Sequence, residues 1–218
     1  MKYKAVLFGS IGTIIETSEI QRQSFNDAFK ETGLDWYWGE TDYKNLLQKS
    51  GGAKRIEDFA QKNNSTVDAL KIRFRKTELF NRYLIDGNFE PREGVLDIIN
   101  YVKENGLKLG FVNSTTTNNI NAVFTTLKNF IQKDDFDFIG NNNLIDKPKP
   151  NAEIYYKALD ILSLKPSECI AIEDTEESVK SSLDAKIKCI GFPGNFHLHD
   201  SFDQCEMKVN KLDLSILN

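Results

Sequence analysis

The sequence predicts an α/β protein built on a doubly wound parallel sheet, with a helical segment inserted near its N-terminus. Two observations predict this class. Short apolar runs alternate with helix-like stretches over most of the chain, and most of these runs end in glycine or polar residues. Such alternation with short links is typical of βαβ units, whose parallel strands lie buried between helices.

Length and composition agree with one such domain carrying a sizeable insertion. The 218 residues are 40% hydrophobic and 28% charged, which is ordinary for a globular protein. The net charge of −4 and the absence of a basic run indicate no nucleic-acid partner. No apolar run approaches ~18 residues, so we expect no membrane partner.

The three cysteines are few and widely spaced. Cys169, Cys189 and Cys205 form no C-x-x-C motif, so they suggest neither a disulfide framework nor a zinc site. The sequence enters its first apolar run without a secretory or transit leader. We therefore expect a cytoplasmic protein, and we expect a monomer.

The first apolar run, Ala5–Phe8, breaks into Gly9-Ser10-Ile11-Gly12-Thr13. This pattern predicts a buried parallel strand that ends in a tight loop. Open parallel sheets bind ligands beyond the carboxyl ends of their strands, and Gly12 lets backbone N–H groups approach an anion. Gly12 and Thr13 are thus candidate phosphate-binding residues.

Helical periodicity dominates residues 15–90, where apolar residues recur three and four positions apart. Pro91 and Gly94 mark the return to alternating strands and helices. We predict a core domain of residues 1–14 and 91–218, and a helical cap domain of residues 15–90.

The elements of the core then follow in order. We predict helices around 95–102, 120–127, 154–162 and 176–185, and strands around 107–112, 136–139, 169–172, 187–191 and 207–209. Polar residues follow two of these strands: Asn113-Ser114 after the second, and Glu173-Asp174 after the fourth. Between them lies Lys147-Pro148-Lys149-Pro150.

Four strand-end signals therefore converge on one edge of the sheet: Gly9 to Thr13, Asn113/Ser114, Lys147-Pro148 and Glu173-Asp174. Together with the segments ETGLDW, GGAKRI, KPKP and IAIEDT, they resemble the haloacid dehalogenase superfamily, in the subgroup of β-phosphoglucomutase and the sugar-bisphosphate phosphatases. The resemblance covers the whole chain. It implies a Rossmann-type core with an inserted helical cap.

The resemblance also shows what the first loop lacks. The family carries a nucleophilic aspartate, which also binds magnesium, and a second aspartate that acts as general acid and base. Here Gly9 and Ile11 occupy those two positions. Glycine supplies no nucleophile and a branched alkyl group cannot carry a proton, so we expect phosphoaspartyl catalysis to be lost.

The family's acidic motif implies that Asp174 and Glu173 descend from magnesium ligands, with the backbone carbonyl of Ile11 as a further ligand. Carboxylate oxygens suit Mg²⁺. Because residue 9 contributes no carboxylate, we expect Mg²⁺ binding to be weak or lost. The alternative interpretation is structural, with Asp174 and Glu177 forming a capping box for the next helix.

Lys147 matches the family lysine that neutralises the nucleophile and the phosphate, and Lys149 is the alternative two residues on. Both can equally be solvated loop lysines. Asn113 occupies the family's Ser/Thr position, where its amide can donate to a phosphate oxygen. Ser114 takes that role if the register shifts by one, and a simple polar turn is the structural alternative.

Two further candidates lie elsewhere. Lys54 and Arg55 match a cap loop that faces the distal end of the substrate in the family, although they can equally be solvated cations at a helix start. Ser10 is a conceivable substitute nucleophile. We expect it to point to the wrong side of the loop and to lack a base.

These observations support three functions. The first is a pseudoenzyme that binds a small phosphorylated sugar or phosphate ion and acts by ligand binding or regulation. The alternative is a Mg²⁺-dependent hydrolase, a phosphatase of small phosphorylated sugars. A further alternative is a protein-interaction module that uses the cap surface.

Overall fold

The computed structural model describes residues 2–47 and 51–217. The chain divides into two compact units, a helical unit of residues 17–87 and an α/β unit made by the remainder. The domain limits expected from the sequence, at 14/15 and 90/91, stay a prediction.

The α/β unit is built on a parallel sheet of six strands within the described residues, as the sequence predicts. In chain order these are β1 Ala5–Phe8, β2 Lys108–Phe111, β3 Phe138–Ile139, β4 Cys169–Glu173, β5 Lys188–Gly191 and β6 Met207–Lys208. Their spatial order is β3-β2-β1-β4-β5-β6. The central strands β1 and β4 are buried throughout, which is why they read as unbroken apolar runs.

The register of the central strands fixes the position of the candidate site. Phe8 of β1 pairs with Phe111 of β2 and with Ile172 of β4. Continuing this register places Gly9 beside Glu173 and Ser10 beside Asp174. The residues that follow all three strands therefore meet at one edge of the sheet.

The described helices follow in chain order. They are α1 Ile11–Ile14, α2 Ser18–Glu31, α3 Glu40–Leu46, α4 Gly52–Lys62, α5 Ala69–Asp86, α6 Val95–Glu104, α7 Thr117–Thr126, α8 Glu153–Leu162 and α9 Glu176–Asp184. Helices α2 to α5 form the helical unit, and the others belong to the α/β unit.

The start of α9 decides between the two interpretations of Asp174. The N-cap residue is Thr175, whose hydroxyl accepts a hydrogen bond from the backbone N–H of Ser178. The structural alternative for Asp174, a capping box with Glu177, is therefore wrong. The Asp174 side chain instead accepts a hydrogen bond from Ser10 of the first loop.

The helical unit has an aromatic core of its own. Trp38 is fully buried, and its ring lies 4.9 Å from Phe25 and 4.6 Å from Phe29 of α2. The Asn26 side chain holds the backbone of Trp38 through both its oxygen and its amide. These contacts make Trp38 part of the core of this unit, whereas the neighbouring Tyr37 is exposed.

Across residues 2–47 and 51–217, none of the helices combines the length and the apolar composition needed to cross a bilayer.

Candidate active site

The ends of β1 and β4 are joined by direct contact. The backbone N–H of Gly9 donates to the carbonyl of Ile172 over 2.9 Å. A Cβ atom placed on Gly9 would lie 1.9 Å from the carboxyl carbon of Glu173 and 2.0 Å from its Oε1. No side chain fits there beside this carboxyl group. The Glu173 carboxylate thus occupies the space into which a side chain at position 9 would extend.

Glu173 is fully buried and its charge is balanced from the loop before α8. Its Oε1 accepts hydrogen bonds from Lys149 Nζ at 2.5 Å and from the Tyr155 hydroxyl at 2.6 Å. Lys149 Nζ also donates to the carbonyl of Gly9 over 2.9 Å. Lys149, Glu173 and Tyr155 therefore form a closed network, since a buried carboxylate requires a counter-ion and donors.

Burial controls the ionisation of this network. Desolvation raises the pKa of Glu173 above its ordinary value, although the Lys149 ammonium opposes the shift. Desolvation, together with the negative charge of Glu173, raises the pKa of Tyr155 well above its ordinary value. Tyr155 therefore stays a neutral donor.

Asp174 lies against the first loop. A Cβ atom on Gly12 would lie 1.8 Å from Asp174 Oδ2, so this carboxylate packs directly onto the glycine. The Ser10 hydroxyl donates to Asp174 Oδ1, and it lies 3.4 Å from Glu173 Oε2. The expectation that Ser10 points away from the site and lacks a base is wrong. It faces both carboxylates.

Arg92 ties the first loop to the segment after β5. Its guanidinium donates to the carbonyls of Gly12 at 2.6 Å, Phe192 at 2.9 Å and Pro193 at 2.7 Å. It also stacks over the ring of Phe192. Thr13 is fully buried, and its hydroxyl donates to the Ser10 carbonyl. The first loop is therefore held both by Arg92 and by its own hydrogen bond from Thr13 to Ser10.

Asn113 lies at the carboxyl end of β2. It is almost fully buried, and within the described part of the chain its Nδ2 has no hydrogen-bond partner. A buried amide without a partner is unfavourable. Ser114 beside it is half-buried.

The two lysines of the K-P-K-P segment differ completely. Lys147 is exposed, and its backbone N–H donates to Glu153 over 2.9 Å. The Lys149 side chain is only 7% exposed and reaches Gly9 and Glu173. The structure therefore brings Lys149 into the site and leaves Lys147 outside it, which corrects the choice made from the sequence.

A magnesium ion is implied by the resemblance, but the residues as placed do not fit one. Glu173 is neutralised by Lys149, Asp174 Oδ1 is taken by Ser10, and Ile11 adds only a backbone carbonyl. Across residues 2–47 and 51–217, no three His, Cys, Asp or Glu side chains group as a metal site.

Lys54 and Arg55 lie in α4 of the helical unit, and both have partners there. Lys54 pairs with Asp58 at 2.5 Å on the surface. Arg55 Nε donates to the Leu46 carbonyl over 2.9 Å, and the guanidinium lies over the rings of Phe25 and Tyr43. A role of either residue in substrate binding stays a prediction.

The sequence predicts neither Tyr155 nor Arg92 as a residue of the site, and it offers Lys149 only as the alternative to Lys147. Tyr155 fits the apolar stripe of α8 and reads as a core residue. Arg92 follows Pro91, which marks the return to the α/β unit. This position in the sequence is the one signal that could have indicated a role for Arg92 near the site.

The chain matches the haloacid dehalogenase-like hydrolase family over residues 6–192. It belongs to that family. A protein CbbY of Rhodobacter capsulatus is 30% identical over 215 residues, covering 97% of this chain and 95% of the relative. A protein CbbY of Cereibacter sphaeroides is 31% identical over 202 residues, covering 91% and 88%.

Solved structures agree with this assignment. CbbY of Rhodobacter sphaeroides in complex with phosphate superposes with a TM-score of 0.85 at 28% identity, covering 96% of this chain and 94% of that one. A variant of the same protein bound to xylulose-(1,5)bisphosphate gives 0.85 at 29% identity with the same coverage. A β-phosphoglucomutase of Thermotoga maritima, described as putative, shares the fold at 18% identity, with a TM-score of 0.73 and 94% of each chain covered. The chain is thus similar over nearly its whole length to CbbY proteins, whose solved structures hold phosphate and a sugar bisphosphate.

Proposed function

We propose that this chain binds a small phosphorylated sugar or phosphate ion at the carboxyl ends of β1 and β4 without phosphoaspartyl catalysis. One observation carries the proposal: the Glu173 carboxyl group fills the space of a side chain at position 9. Gly9 offers no nucleophile, and Ile11 can neither give nor take a proton. The protein then acts by ligand binding or regulation, as a pseudoenzyme.

The ligand class rests on the relatives and on groups in this chain. The CbbY structures hold phosphate and xylulose-(1,5)bisphosphate. In this chain the Asn113 amide has a free donor at the end of β2. Lys149 is a cation at the same edge of the sheet, where it is paired with Glu173. An anion would satisfy the Asn113 donor.

Gly12 and Ser114 are the remaining proposed phosphate contacts. Thr13, also expected there from the sequence, is fully buried, and both its hydroxyl and its N–H donate to the Ser10 carbonyl.

We propose that Mg²⁺ affinity is weak or lost, because both acidic side chains already have partners inside the protein. We further propose that the protein is a cytoplasmic monomer without nucleic-acid or membrane partners. The net charge of −4 supports the absence of a nucleic-acid partner.

Binding is tested by thermal shift and calorimetry with inorganic phosphate and a panel of sugar mono- and bisphosphates, including xylulose-1,5-bisphosphate. A ligand at 100 times its Kd should add about 2.7 kcal/mol to the free energy of unfolding. Asn113→Ala should weaken binding, whereas Asn142→Ala, an exposed asparagine, should not. If no phosphorylated compound raises the melting temperature, the ligand-binding proposal is rejected and the protein-interaction function is favoured instead.

Catalysis is tested with the same panel and Mg²⁺ by measuring phosphate release. Turnover within ~1–10³ s⁻¹, the usual enzymatic range, would reject the pseudoenzyme. The double variant Gly9→Asp with Ile11→Asp should displace the Glu173 carboxylate from position 9 and gain measurable Mg²⁺ affinity by calorimetry. Absence of any gain would mean that the pocket no longer accommodates the ancestral carboxylates.

Slow hydrolysis is the second candidate, and one observation favours it. The Ser10 hydroxyl donates to Asp174, which is the arrangement of a nucleophile and its base. Ser10 Oγ would attack phosphorus as its proton passes to Asp174, and the sugar oxygen would leave with that proton. Water, deprotonated by Asp174, would then cleave the phosphoserine, release phosphate and return the proton to Ser10. Any phosphate release should then disappear in Ser10→Ala. Release that survives this change would exclude Ser10 as the nucleophile.

A further inference from the structure

One segment of the α/β unit, residues 192–204, begins at the candidate site. The N–H of Phe192 donates to the carbonyl of Glu173 over 2.7 Å. Arg92 bonds to the carbonyls of Phe192 and Pro193. The segment therefore touches both the acidic end of β4 and the arginine that holds the first loop. We call it the 192–204 loop.

The two ends of this loop each carry a cysteine. Cys189 lies on β5, and Cys205 precedes β6. The N–H of Glu206, the residue after Cys205, donates to the Cys189 carbonyl over 2.8 Å, which holds the two cysteines side by side at this edge of the sheet. Both side chains pack into one apolar cluster. Both are free thiols in the structure.

The two thiols are chemically unequal. Cys189 is fully buried, and burial raises its pKa well above the ordinary value. Cys205 is half-buried, and its contact with Cys189 lowers its pKa. Exposure and thiolate character make a cysteine reactive toward oxidants, and a neighbouring thiol resolves the product. Cys205 thus has the features of the attacking thiol and Cys189 those of the resolving one.

We propose that Cys205 and Cys189 form a disulfide when the protein meets a hydroperoxide, and that this bond clamps the 192–204 loop. The Cys205 thiolate attacks the peroxide and breaks its O–O bond, which gives a sulfenic acid and, with hydrogen peroxide, water. The Cys189 thiol then attacks the sulfenic sulfur, and a second water leaves. Two thiols are oxidised and one peroxide is reduced.

This modification site is independent of the proposed function, because the reaction requires no ligand at the candidate site. The disulfide would restrain the 192–204 loop, which begins at that site. A bond between residues 189 and 205 removes conformational freedom from a short loop of the unfolded chain. Oxidation should therefore stabilise the protein.

The experiment treats the whole chain with a modest excess of hydrogen peroxide and follows its intact mass. The main product should be lighter by about 2 Da and return to the starting mass with dithiothreitol. Peptide mapping of the unreduced wild-type protein should show one linked pair, Cys189 with Cys205. This readout needs no variant and so does not depend on any variant folding.

Variants sharpen the assignment. Cys205→Ser and Cys189→Ser should both lose the lighter product, whereas Cys169→Ser should keep it. Cys169 is the matched control because it too is buried, and burial raises its pKa to about 12. Oxidised wild type should melt roughly 5–10 °C higher than the reduced protein.

Three outcomes would overturn the proposal. The first is oxidation of Cys205 only to sulfinic or sulfonic acid, with Cys189 unchanged. The second is a linkage that joins two chains or includes Cys169. The third is an intact mass that does not change after treatment with peroxide. A linked pair without a rise in melting temperature would overturn the clamping of the loop.

Discussion

The carboxyl ends of β1 and β4 are neighbours in the sheet, yet their chemistry is opposite. The end of β1 presents Gly9 and Ile11, neither of which has a polar side chain. The end of β4 presents Glu173 and Asp174, and the Glu173 carboxylate extends into the space beside Gly9. The acidic group of this site therefore comes from β4.

The comparison shows that the two strand ends depend on each other. The Glu173 carboxylate can lie where it does only because position 9 has no side chain. Once there, it pairs with Lys149, which also holds the Gly9 carbonyl. A gap on one strand and a buried ion pair on the next are thus one structural feature.

The largest test of this feature removes the counter-ion. Lys149→Met should lower the free energy of unfolding by about 3–5 kcal/mol, because it leaves the buried Glu173 carboxylate uncompensated. Lys147→Met is the matched control, two residues away and exposed, and should change stability by less than about 0.5 kcal/mol. Urea unfolding at neutral pH measures both. Equal losses would mean that Lys149 contributes no more than a surface lysine.

The next test fills the gap. Gly9→Ala should cost about 1–3 kcal/mol, because its methyl group overlaps the Glu173 carboxyl and forces it from its bonds. The cost should shrink in a Glu173→Ala background, where the overlap is gone. Gly52→Ala is the control, since its Cβ would meet its neighbours only at 3.4 Å. A cost that stays the same in both backgrounds would show that the two strand ends are independent.

Much of this architecture could be predicted from the sequence. The alternation of apolar runs and helical periods gives the six parallel strands, and the polar residues after β1, β2 and β4 place the site. The prediction works because a parallel strand buried on both faces must be apolar and a strand end at a ligand crevice must be polar. The predicted strand limits at 136–139 and 207–209 were each too long at one end.

The details of the site could not be predicted, for physical reasons. Lys147 and Lys149 lie two residues apart in one loop, so the sequence pattern does not distinguish them. Only the path of the chain before α8 leaves Lys147 exposed and brings Lys149 into the site. Ser10 faces Asp174 because the register pairs β1 with β4 in step. Because β1 and β4 are buried on both faces, their sequences carry no alternation of apolar and polar residues that would specify this register.

The third test uses pH. Because the folded state raises the pKa of Glu173, its protonated form favours folding, and this contribution is complete below the ordinary value near 4.5. The contribution is lost as pH rises through the folded-state pKa. The stability of wild type relative to Glu173→Gln should therefore fall as pH rises above 4.5, by up to about 1.4 kcal/mol per pH unit. Denaturant unfolding from pH 4.5 to 7.5 measures this difference. A constant difference, or a rising one, would contradict the burial argument.

The smallest test concerns which residue begins α9, and hence whether Asp174 belongs to the helix or to the site. Thr175→Ala should cost about 1 kcal/mol, because the Ser178 N–H loses its acceptor. Thr175→Ser keeps a hydroxyl and should cost little, so the pair isolates the hydrogen bond from the rest of the side chain. If Thr175→Ala were neutral and Asp174→Ala instead reduced helix stability, Asp174 would be the cap. Its contact with Ser10 would then be secondary, and the end of β4 would offer the site only one carboxylate.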